Sequence, residues 1–196
     1  MITKRQLRTK RLFDVLLVLL LFPFLIVPII MLVGIATLDT KKYGVFTQKR
    51  VGQEGSLFHI YKIRTLKEEV HQLGHLDKSA TRFGKFLRKT KLDELPQLFN
   101  VLKGDMSFVG PRPDVQGFAD ELKGEDRIIL LVKPGITGEA TLKYKDEERV
   151  LERQKDPEHY NRTIIWVDKV KINKNYVQNY SFYLDLKLIL KSVLNK

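Results

Sequence analysis

Apolar residues dominate the first part of the chain, where the stretch from Leu12 to Leu38 contains Asp14 as its only charged residue. About 20 apolar residues suffice to cross a bilayer, so this stretch is long enough for a membrane helix. A secretory signal peptide is disfavoured because the apolar run is too long for a signal-peptide core. The pattern therefore predicts a membrane anchor with a basic flank over residues 1–40.

The form of this anchor stays open on the residues alone. Pro23 and Pro28 lie in its middle, and each proline removes a backbone donor and disturbs the preceding turn. A single span carries its positive charge mainly on the cytoplasmic side, but here basic residues flank both ends: Lys4, Arg5, Arg8, Lys10 and Arg11 before, and Lys41, Lys42, Lys49 and Arg50 after. A re-entrant helix that bends back at the prolines and a proline-kinked spanning helix both fit this pattern.

One charged residue within the anchor needs a partner. Asp14 lies one turn inside the apolar stretch, where a carboxylate is costly unless it is paired. Arg11 precedes it by three residues, and this spacing places both side chains on one helix face. We therefore predict an Arg11–Asp14 ion pair.

Beyond residue 40 the pattern predicts a compact domain over residues 41–196. Two β-prone runs, Val45–Gln48 and Leu57–Tyr61, are separated by Gly52 and Gly55, which is typical of a β-hairpin. The remaining pattern is helical. The predicted fold class is therefore mainly α with a small β-hairpin (α+β), in which amphipathic helices surround a cytoplasmic domain.

Four segments carry the helical signal. Arg82–Lys91 combines apolar residues at helical spacing with basic residues, as in helices that lie on a membrane surface. Leu92–Leu102 is an apolar helix that ends at a glycine signal. Asp146–Asp156 is mostly charged and polar and predicts a solvated helix face. The last helix carries one apolar stripe, which predicts core packing or membrane contact: Phe182, Leu186, Ile189, Leu190 and Val193.

The charge of the chain is concentrated beside the anchor. The net charge is +12, and the residues up to Lys91 contain 18 Lys and Arg against 6 Asp and Glu. A basic half of this kind suits anionic lipid headgroups or phosphorylated substrates. We expect no nucleic-acid partner, because no nucleic-acid-binding motif is recognisable and the basic residues flank an apolar segment. The chain has no cysteine, which excludes thiolate metal sites and cysteine nucleophiles.

Candidate chemistry centres on the adjacent carboxylates of Asp93 and Glu94. One interpretation is structural, because Thr90 followed by Asp93 fits a capping box and acids in a first turn complement the helix dipole. The other is catalytic, because an ionised carboxylate is a competent nucleophile toward phosphorus. Its neighbour could then help to hold a divalent cation that neutralises an anionic substrate. Both interpretations remain open from the residues alone.

Two arginines could serve the same anion. Arg112 stands between Pro111 and Pro113, and a guanidinium on so stiff a loop loses little freedom when it binds phosphate. Arg88 precedes the acidic pair by about one helical turn. A structural arginine paired with an acid is the alternative for Arg112. His71 and His75 are four residues apart and could share a metal, although we expect a solvated polar loop there.

These residues belong to longer motifs. The chain resembles the monotopic phosphoglycosyl transferases, the bacterial sugar transferase family, over nearly its whole length. The most specific stretch is Lys91–Pro113, which reads KLDELPQLFNVLKGDMSFVGPRP. Five shorter matches support it: Lys10–Asp14, Phe46–Gly52, Lys62–Thr65, Pro134–Gly138 and Ser181–Lys187.

The resemblance implies a monotopic enzyme on the cytoplasmic face of the cell (inner) membrane, with a re-entrant anchor embedded in membrane lipids. It implies that Asp93 attacks the β-phosphate of a UDP-sugar, releases UMP and forms an aspartyl phosphosugar. Polyprenyl phosphate (undecaprenyl phosphate) would then attack this intermediate and accept the phosphosugar. Asp93 and Glu94 would hold Mg²⁺. Phosphate or nucleotide-sugar contacts would come from four basic residues: Arg88, Arg112, Lys62 and Arg64.

Two departures from the family pattern concern substrate and anchor. Phe22–Pro23 stands where the family often has Ser-Pro at the membrane break, so Pro28 could share the bend. Glu139 stands where the family commonly has Trp, and Lys143–Lys145 replaces an Asn-Gly-Arg run. The sugar therefore stays open. A non-catalytic lipid-binding or partner-binding module and a nucleotide-sugar hydrolase are the rival functions.

Overall fold

The computed structural model describes residues 1–67 and 79–194, and within these ranges the chain is mainly helical. The described α-helices are α1 (Lys4–Thr40), α2 (Arg82–Thr90), α3 (Gln97–Lys103), α4 (Glu139–Lys143), α5 (Glu147–Glu152), α6 (Pro157–Tyr160), α7 (Trp166–Gln178) and α8 (Phe182–Leu194). The described strands are β1 (Val45–Val51), β2 (Leu57–Ile63), β3 (Ser107–Val109) and β4 (Gly135–Thr137). The predicted α+β class is confirmed, while His71 and His75 lie outside the described residues.

Helix α1 begins at a capping box. The Thr3 hydroxyl accepts a hydrogen bond from the Gln6 backbone N–H at 3.2 Å, and the Gln6 side chain accepts one from the Thr3 N–H at 2.8 Å. These two bonds satisfy donors that the first helical turn leaves open. The helix then continues through Pro23 and Pro28 to Thr40 without an interruption. The predicted helix–break–helix anchor is therefore not confirmed, although α1 is long and apolar enough to cross a membrane.

Both halves of α1 pack on the rest of the chain. Val18 is fully buried in a cluster with Leu98 and Val101 of α3, and the ring centroids of Phe22 and Phe99 lie 5.2 Å apart. Near the other end of α1, Ala36 is fully buried in a second cluster. That cluster contains Ile63 of β2 and Leu87 of α2. The two ends of α1 thus contact the same folded body.

The predicted Arg11–Asp14 ion pair is wrong. The Arg11 guanidinium donates hydrogen bonds to the carbonyls of Val101 and Leu102, the second at 2.8 Å. These carbonyls lie in the last turn of α3, where helix carbonyls lack intrahelical donors. The Asp14 carboxylate instead accepts hydrogen bonds from the Ser107 hydroxyl and the Phe108 backbone N–H, both at 3.1 Å. Arg11 and Asp14 therefore each attach α1 to the domain separately.

A buried carboxylate fastens the C-terminal helices to α1. Asp185 of α8 is 1% exposed and accepts a hydrogen bond from the Lys10 ammonium at 2.5 Å. The hydroxyls of Tyr176 and Tyr180 also donate to it, at 2.6 and 3.2 Å. Because a buried charge is costly unless paired and hydrogen-bonded, this arrangement fixes three segments at one point. We refer to Lys10, Tyr176, Tyr180 and Asp185 as the anchor cluster.

The predicted hairpin is confirmed, and it is joined to α3. Strands β1 and β2 are antiparallel, with Val45 opposite Ile63. The fully buried Asn100 of α3 bridges to β2: its amide donates to the His59 carbonyl at 2.7 Å, and its carbonyl accepts from the Tyr61 N–H at 3.0 Å. This bridge holds β2 against α3, the helix that follows the acidic pair.

A second, parallel sheet was not predicted. Strands β3 and β4 pair with Val109 opposite Thr137, and the Gly110 N–H donates to the Thr137 carbonyl at 2.9 Å. A Cβ atom on Gly138 would lie 2.3 Å from the Gly110 carbonyl oxygen, so only glycine fits there. Because the carboxyl ends of parallel strands meet at one edge, the loops that follow β3 and β4 leave this sheet side by side.

Large apolar side chains remain exposed along two helices. On α1 they include Leu16, Phe24 and Leu38, which are 57%, 73% and 81% exposed. On α8 the predicted apolar stripe includes Leu190 and Val193, which are 59% and 61% exposed. Exposed apolar area of this extent marks a surface that contacts a membrane or a partner. The predicted stripe is thus divided: Phe182 packs on Phe13 with ring centroids 5.1 Å apart and Ile189 packs on the core, while its other members face outward.

Candidate active site

The acidic pair lies at a break between two helices. Helix α2 ends at Thr90, Lys91 adopts a left-handed backbone with a φ of 59°, and Leu92–Glu94 forms a single 3₁₀ turn before α3. The Thr90 hydroxyl donates back to the carbonyl of Phe86 at 2.8 Å. The predicted capping box is therefore wrong, because Thr90 closes α2 instead of opening the next helix. The sharp turn at Lys91 brings the acidic pair into the interior of the domain.

Glu94 is held by two cations. Its Oε1 atom accepts hydrogen bonds from the Lys62 ammonium at 3.0 Å and from the Arg112 guanidinium at 2.8 Å. Burial by itself would raise the pKa of Glu94, but Arg112, Lys62 and Lys91 together hold that pKa well below its usual range. Glu94 is therefore an ionised carboxylate that positions Arg112 and Lys62 around it.

Asp93 has a contrasting environment. It is 7% exposed, and its Oδ1 atom is buried without a hydrogen-bond partner among the described residues. Burial raises the pKa of Asp93, and Glu94 adds to this effect, while Lys62 acts in the opposite direction. A buried oxygen that no protein group satisfies is unusual and needs an explanation. Because its charge is poorly solvated, this oxygen is suited to bond with an electrophile or a cation.

Arg112 is placed by the loop that leaves β3. The Gly135 N–H donates to the carbonyl of Pro111 at 2.8 Å, and Arg50 donates to the carbonyl of Pro113 at 3.2 Å. These bonds fix the backbone on both sides of Arg112, whose guanidinium reaches Glu94. The ion pair with Glu94 raises the pKa of Arg112, so the residue stays cationic throughout the working range. The two roles predicted for Arg112, phosphate binding and structural pairing with an acid, are compatible, since the pairing with Glu94 leaves further N–H donors for a phosphate.

A second layer of charge surrounds Arg112. Burial raises the pKa of the neighbouring Asp114 to about 6. Burial and the nearby Arg112 charge lower the pKa of Arg50 to about 10, and its Nε atom is buried without a partner among the described residues. Glu94 and Asp114 supply anions beside these cations, but the Nε–H of Arg50 remains a buried donor that needs an acceptor. The arrangement is therefore suited to receive a polyanionic substrate.

The acidic segment after residue 145 belongs to this site, which the sequence did not reveal. Glu148 of α5 pairs with Arg88 of α2, and each side chain is only about a quarter exposed, at 29% and 24%. The two carboxylate oxygens of Glu147 accept hydrogen bonds from the Lys169 ammonium at 2.8 and 2.6 Å. The predicted solvated face is therefore wrong at these two residues. In the sequence, Glu147 and Glu148 stand out only as two consecutive acids in a charged segment, which is a weak indication of a site.

Arg64, also predicted to bind phosphate, is engaged elsewhere. Its Nε atom donates to the carbonyl of Tyr43 at 2.8 Å, and its guanidinium lies over the ring of Phe46 at 5.7 Å. Lys62, two residues earlier on β2, reaches Glu94. The structure thus brings together Lys62, Glu94 and Arg112 by direct contacts, with Asp93 beside them, and it places Arg64 on the hairpin end.

A family model described as bacterial sugar transferase matches residues 5–196. The chain belongs to the bacterial sugar transferase family. This membership confirms the family that the motifs of the sequence predicted. The match spans α1 as well as the domain that holds Asp93 and Glu94, so the apolar helix is part of the shared unit.

Several bacterial relatives resemble the chain over most of its length. The sugar transferase EpsL of Bacillus subtilis is 35% identical over 187 residues, covering 94% of this chain and 85% of the relative. A UDP-glucose:undecaprenyl-phosphate glucose-1-phosphate transferase of Caulobacter vibrioides is 34% identical, with coverages of 94% and 68%. A UDP-N-acetylgalactosamine-undecaprenyl-phosphate N-acetylgalactosaminephosphotransferase of Aeromonas hydrophila is 34% identical, with coverages of 76% and 34%.

The acidic pair also has the donor set for a divalent cation that is shared with substrate. The described residues contain no group of three or more acidic or histidine side chains at metal-binding distance. Mg²⁺, however, commonly takes only one or two carboxylates and completes its shell with water and substrate phosphates. The unpartnered Oδ1 of Asp93, next to Glu94, fits this requirement. In this family member a cation site would therefore be completed by a bound phosphate.

Proposed function

We propose that this protein transfers a sugar 1-phosphate from a UDP-sugar to polyprenyl phosphate, specifically undecaprenyl phosphate, and releases UMP. The family membership supports the reaction class, and the Caulobacter and Aeromonas relatives are named for this reaction with different sugars. The observation that carries the proposal is the contrast within the acidic pair. Asp93 has a buried, unpartnered oxygen, while Glu94 is ionised and holds Lys62 and Arg112.

In the first step, an oxygen of Asp93 attacks the β-phosphorus of the UDP-sugar. A P–O bond to the carboxylate forms as the bond from the β-phosphorus to the bridging oxygen breaks, and that oxygen leaves with its electron pair on UMP. Arg112 and Arg88 hold phosphate oxygens, and Lys62 adds positive charge beside Asp93. Prepositioned cations of this kind supply most of the catalysis of phosphoryl transfer.

In the second step, a phosphate oxygen of the polyprenyl phosphate attacks the same phosphorus. The new P–O bond forms as the bond to Asp93 breaks, and the carboxylate is regenerated. The products are a polyprenyl diphospho-sugar and free enzyme. Glu94 stays ionised throughout, because Arg112 and Lys62 hold its pKa low. Its role is to keep these two cations aimed at the phosphates.

Mg²⁺ is the cation that we propose for this site, with Asp93 and Glu94 as its protein ligands. When bound, it would screen the negative charge of the diphosphate and so reduce its repulsion of the carboxylates. The Coulomb repulsion between the acidic pair and a diphosphate is otherwise opposed only by the basic residues around them. Dependence of UMP release on added Mg²⁺, and its loss with a chelator, tests this assignment.

We infer that α1 is a re-entrant anchor, with both of its ends on the cytoplasmic side of the inner membrane. Two observations support this. Near the first end, Lys10 pairs with Asp185, and near the second end Ala36 packs against Ile63 and Leu87 of the same domain. A helix that crossed about 30 Å of hydrocarbon would carry one of these ends away from that domain. The exposed members of the α8 stripe would then rest on the same membrane surface.

The topology can be read by thiol labelling, because the chain has no cysteine of its own. Lys4 and Tyr43 are exposed at the two ends of α1, and each is replaced by cysteine in a separate variant. Neither Lys4→Cys nor Tyr43→Cys should react with a membrane-impermeant reagent in intact cells, and both should react after permeabilisation. Labelling of one end alone in intact cells would establish a crossing helix.

The reaction is tested by measuring UMP release from a panel of UDP-sugars, with and without polyprenyl phosphate. Sustained UMP release should require both a UDP-sugar and the lipid acceptor. A hydrolase would release sugar phosphate continuously without lipid. A non-catalytic membrane module would release nothing. Either result would remove the proposed function.

A further inference from the structure

Buried polar atoms without a partner are concentrated in one short segment. Seven such side-chain atoms occur among the described residues, and four of them belong to the segment from Thr137 to Glu148. They are the hydroxyl oxygens of Thr137 and Thr141, Oε2 of Glu139 and Oε1 of Glu148. Thr137 is itself only 8% exposed. Buried polar groups are normally satisfied, so a cluster of exceptions indicates a ligand that supplies the missing partners.

The segment runs between the two arginines that are proposed to hold phosphate. At its start, Thr137 pairs with Val109, so the segment leaves the sheet beside the loop that carries Arg112. At its end, Glu148 contacts Arg88. The segment therefore borders the place where the diphosphate of a nucleotide sugar would lie.

The two neighbouring acids of α5 differ in how their oxygens are used. Both oxygens of Glu147 accept hydrogen bonds from Lys169. In Glu148 one oxygen accepts from Arg88, while the other is buried and has no partner among the described residues. Glu147 is thus fully satisfied by the protein, whereas Glu148 retains one acceptor beside a phosphate-binding arginine.

The chemistry of these atoms restricts the ligand group that they could meet. Carboxylate oxygens only accept hydrogen bonds, and phosphate oxygens do the same, so Glu139 and Glu148 would repel a diphosphate. They need a group rich in O–H or N–H donors. In a nucleotide sugar, the sugar ring attached to the β-phosphate is such a group, and it lies next to the phosphate that an arginine holds.

We propose that the segment Thr137–Glu148 forms the wall of the sugar-binding subsite, in which Glu148 and Glu139 accept hydrogen bonds from sugar hydroxyls and set the choice of sugar. This inference rests on the proposed function and adds the residues that distinguish one UDP-sugar from another. Thr137 and Thr141 contribute hydroxyls to the same wall. A site that hydrogen-bonds a substrate hydroxyl rejects an analogue in which that hydroxyl is missing or misplaced.

The test compares the binding of UDP with that of UDP-glucose, UDP-galactose and their N-acetylamino counterparts to the full chain, by calorimetry. Every protein tested also carries Asp93→Asn, so that a UDP-sugar is bound but not converted. UDP has the phosphates and the uridine but no sugar. In Glu148→Gln the affinity for the tightest-bound UDP-sugar should fall by roughly tenfold or more, since a charge-assisted hydrogen bond is lost. The affinity for UDP should change by less than about twofold, since no sugar contact is involved.

Two further variants complete the design. Glu139→Gln keeps the size of a side chain whose Oε2 has no partner to lose, so it should fold and should also weaken UDP-sugars more than UDP. Asp146→Asn is the matched control, because the Asp146 side chain is not among the four buried ones assigned to the wall: it is 58% exposed and only approaches Arg149 at 4.0 Å. It should bind every nucleotide as the protein with Asp93→Asn alone does.

Three outcomes overturn the inference. Equal losses for UDP and for all UDP-sugars in Glu148→Gln would show that Glu148 acts only by positioning Arg88. Unchanged affinities in both Glu148→Gln and Glu139→Gln would remove the segment from the site. Protein with Asp93→Asn alone that is folded but binds no UDP-sugar would remove the proposed function as well, which distinguishes that failure from the first two.

Discussion

The molecule contains two buried carboxylate centres that are built in opposite ways. In the anchor cluster, Asp185 is 1% exposed and accepts hydrogen bonds from Lys10, Tyr176 and Tyr180. In the candidate active site, Asp93 is 7% exposed, and its Oδ1 atom has no partner among the described residues. Burial alone therefore does not distinguish a structural acid from a reactive one. The difference lies in whether the protein completes the hydrogen bonds of the carboxylate.

The two centres also differ in what their neighbours do. Lys10 and the two tyrosines all point their donors at Asp185, so the cluster is closed and joins α1, α7 and α8. In the active site, Lys62 and Arg112 donate to Glu94, which leaves Asp93 beside them without a direct bond to its Oδ1. One carboxylate thus organises the cations and the other is kept available. This division predicts different consequences for substitutions at the two centres.

The largest effect is expected for Asp93→Asn. The substitution keeps the size of the side chain but removes the anionic nucleophile, so turnover should fall by at least about a thousandfold. The protein should stay folded, because the lost charge was not satisfied by the protein. Steady-state UMP release and a thermal melt of the same sample provide the two measurements. Near wild-type turnover would place Asp93 among the structural acids.

The next largest effect is expected for Arg112→Lys. An ammonium can still pair with Glu94, but it cannot offer the two parallel N–H donors that a guanidinium presents to a phosphate. Turnover should fall by roughly 10- to 1,000-fold, which corresponds to about 1.4–4 kcal/mol of transition-state stabilisation. Kinetics on protein with an unchanged melting temperature measure this. Normal turnover would reduce Arg112 to a structural partner of Glu94.

The anchor cluster should respond in stability and not in chemistry. Lys10→Met leaves Asp185 buried without its cation, which should cost about 3–5 kcal/mol of unfolding free energy. UMP release per folded molecule should stay within a few fold of wild type. Adding Asp185→Asn should recover much of the stability, because a neutral amide needs no counter-charge and its oxygen can still accept from Tyr176. Denaturant unfolding in detergent measures the loss, and an unchanged midpoint would contradict it.

The smallest effect is a shift in pH dependence. Burial raises the pKa of Asp93 above the ordinary aspartate value of about 3.9. As the pH falls, Asp93 should therefore be protonated, and the first step should lose activity, at a higher pH than an ordinary aspartate would require. Lys62 lowers this pKa, and Lys62→Met should therefore raise it further and move the acid limb to higher pH. The pH profile of the initial UMP release is the measurement. Movement of the acid limb to lower pH would contradict the assignment.

Local patterns predicted the elements but not the contacts between distant segments. The hairpin, α2, α8 and the glycine that ends α3 follow from periodicity and turn chemistry, and all are present. The Arg11–Asp14 pair failed because spacing along one helix cannot reveal that the carbonyls of α3 and the N–H of Phe108 compete for these groups. Arg88 and Glu148 are 60 residues apart, and only the fold brings them together.

The candidate site shows the same limit. Asp93 and Arg112 could be proposed from their motifs, since the acidic pair and the proline-flanked arginine are visible in the sequence. That one acid is satisfied and the other is not depends on Lys62, which reaches Glu94 from the neighbouring hairpin. The residue types therefore indicate phosphate chemistry, and the tertiary contacts assign the separate roles.

The central claim is that Asp93 forms a covalent bond with the phosphosugar, and intact-mass analysis tests it most directly. Wild-type protein is incubated with its UDP-sugar and Mg²⁺, without polyprenyl phosphate. The account predicts release of UMP up to about one equivalent and a chain heavier by one phosphosugar. Asp93→Asn should show neither, and added polyprenyl phosphate should return the wild-type mass. An unmodified wild-type chain that still transfers the phosphosugar to lipid, or an adduct on Asp93→Asn, would contradict the account.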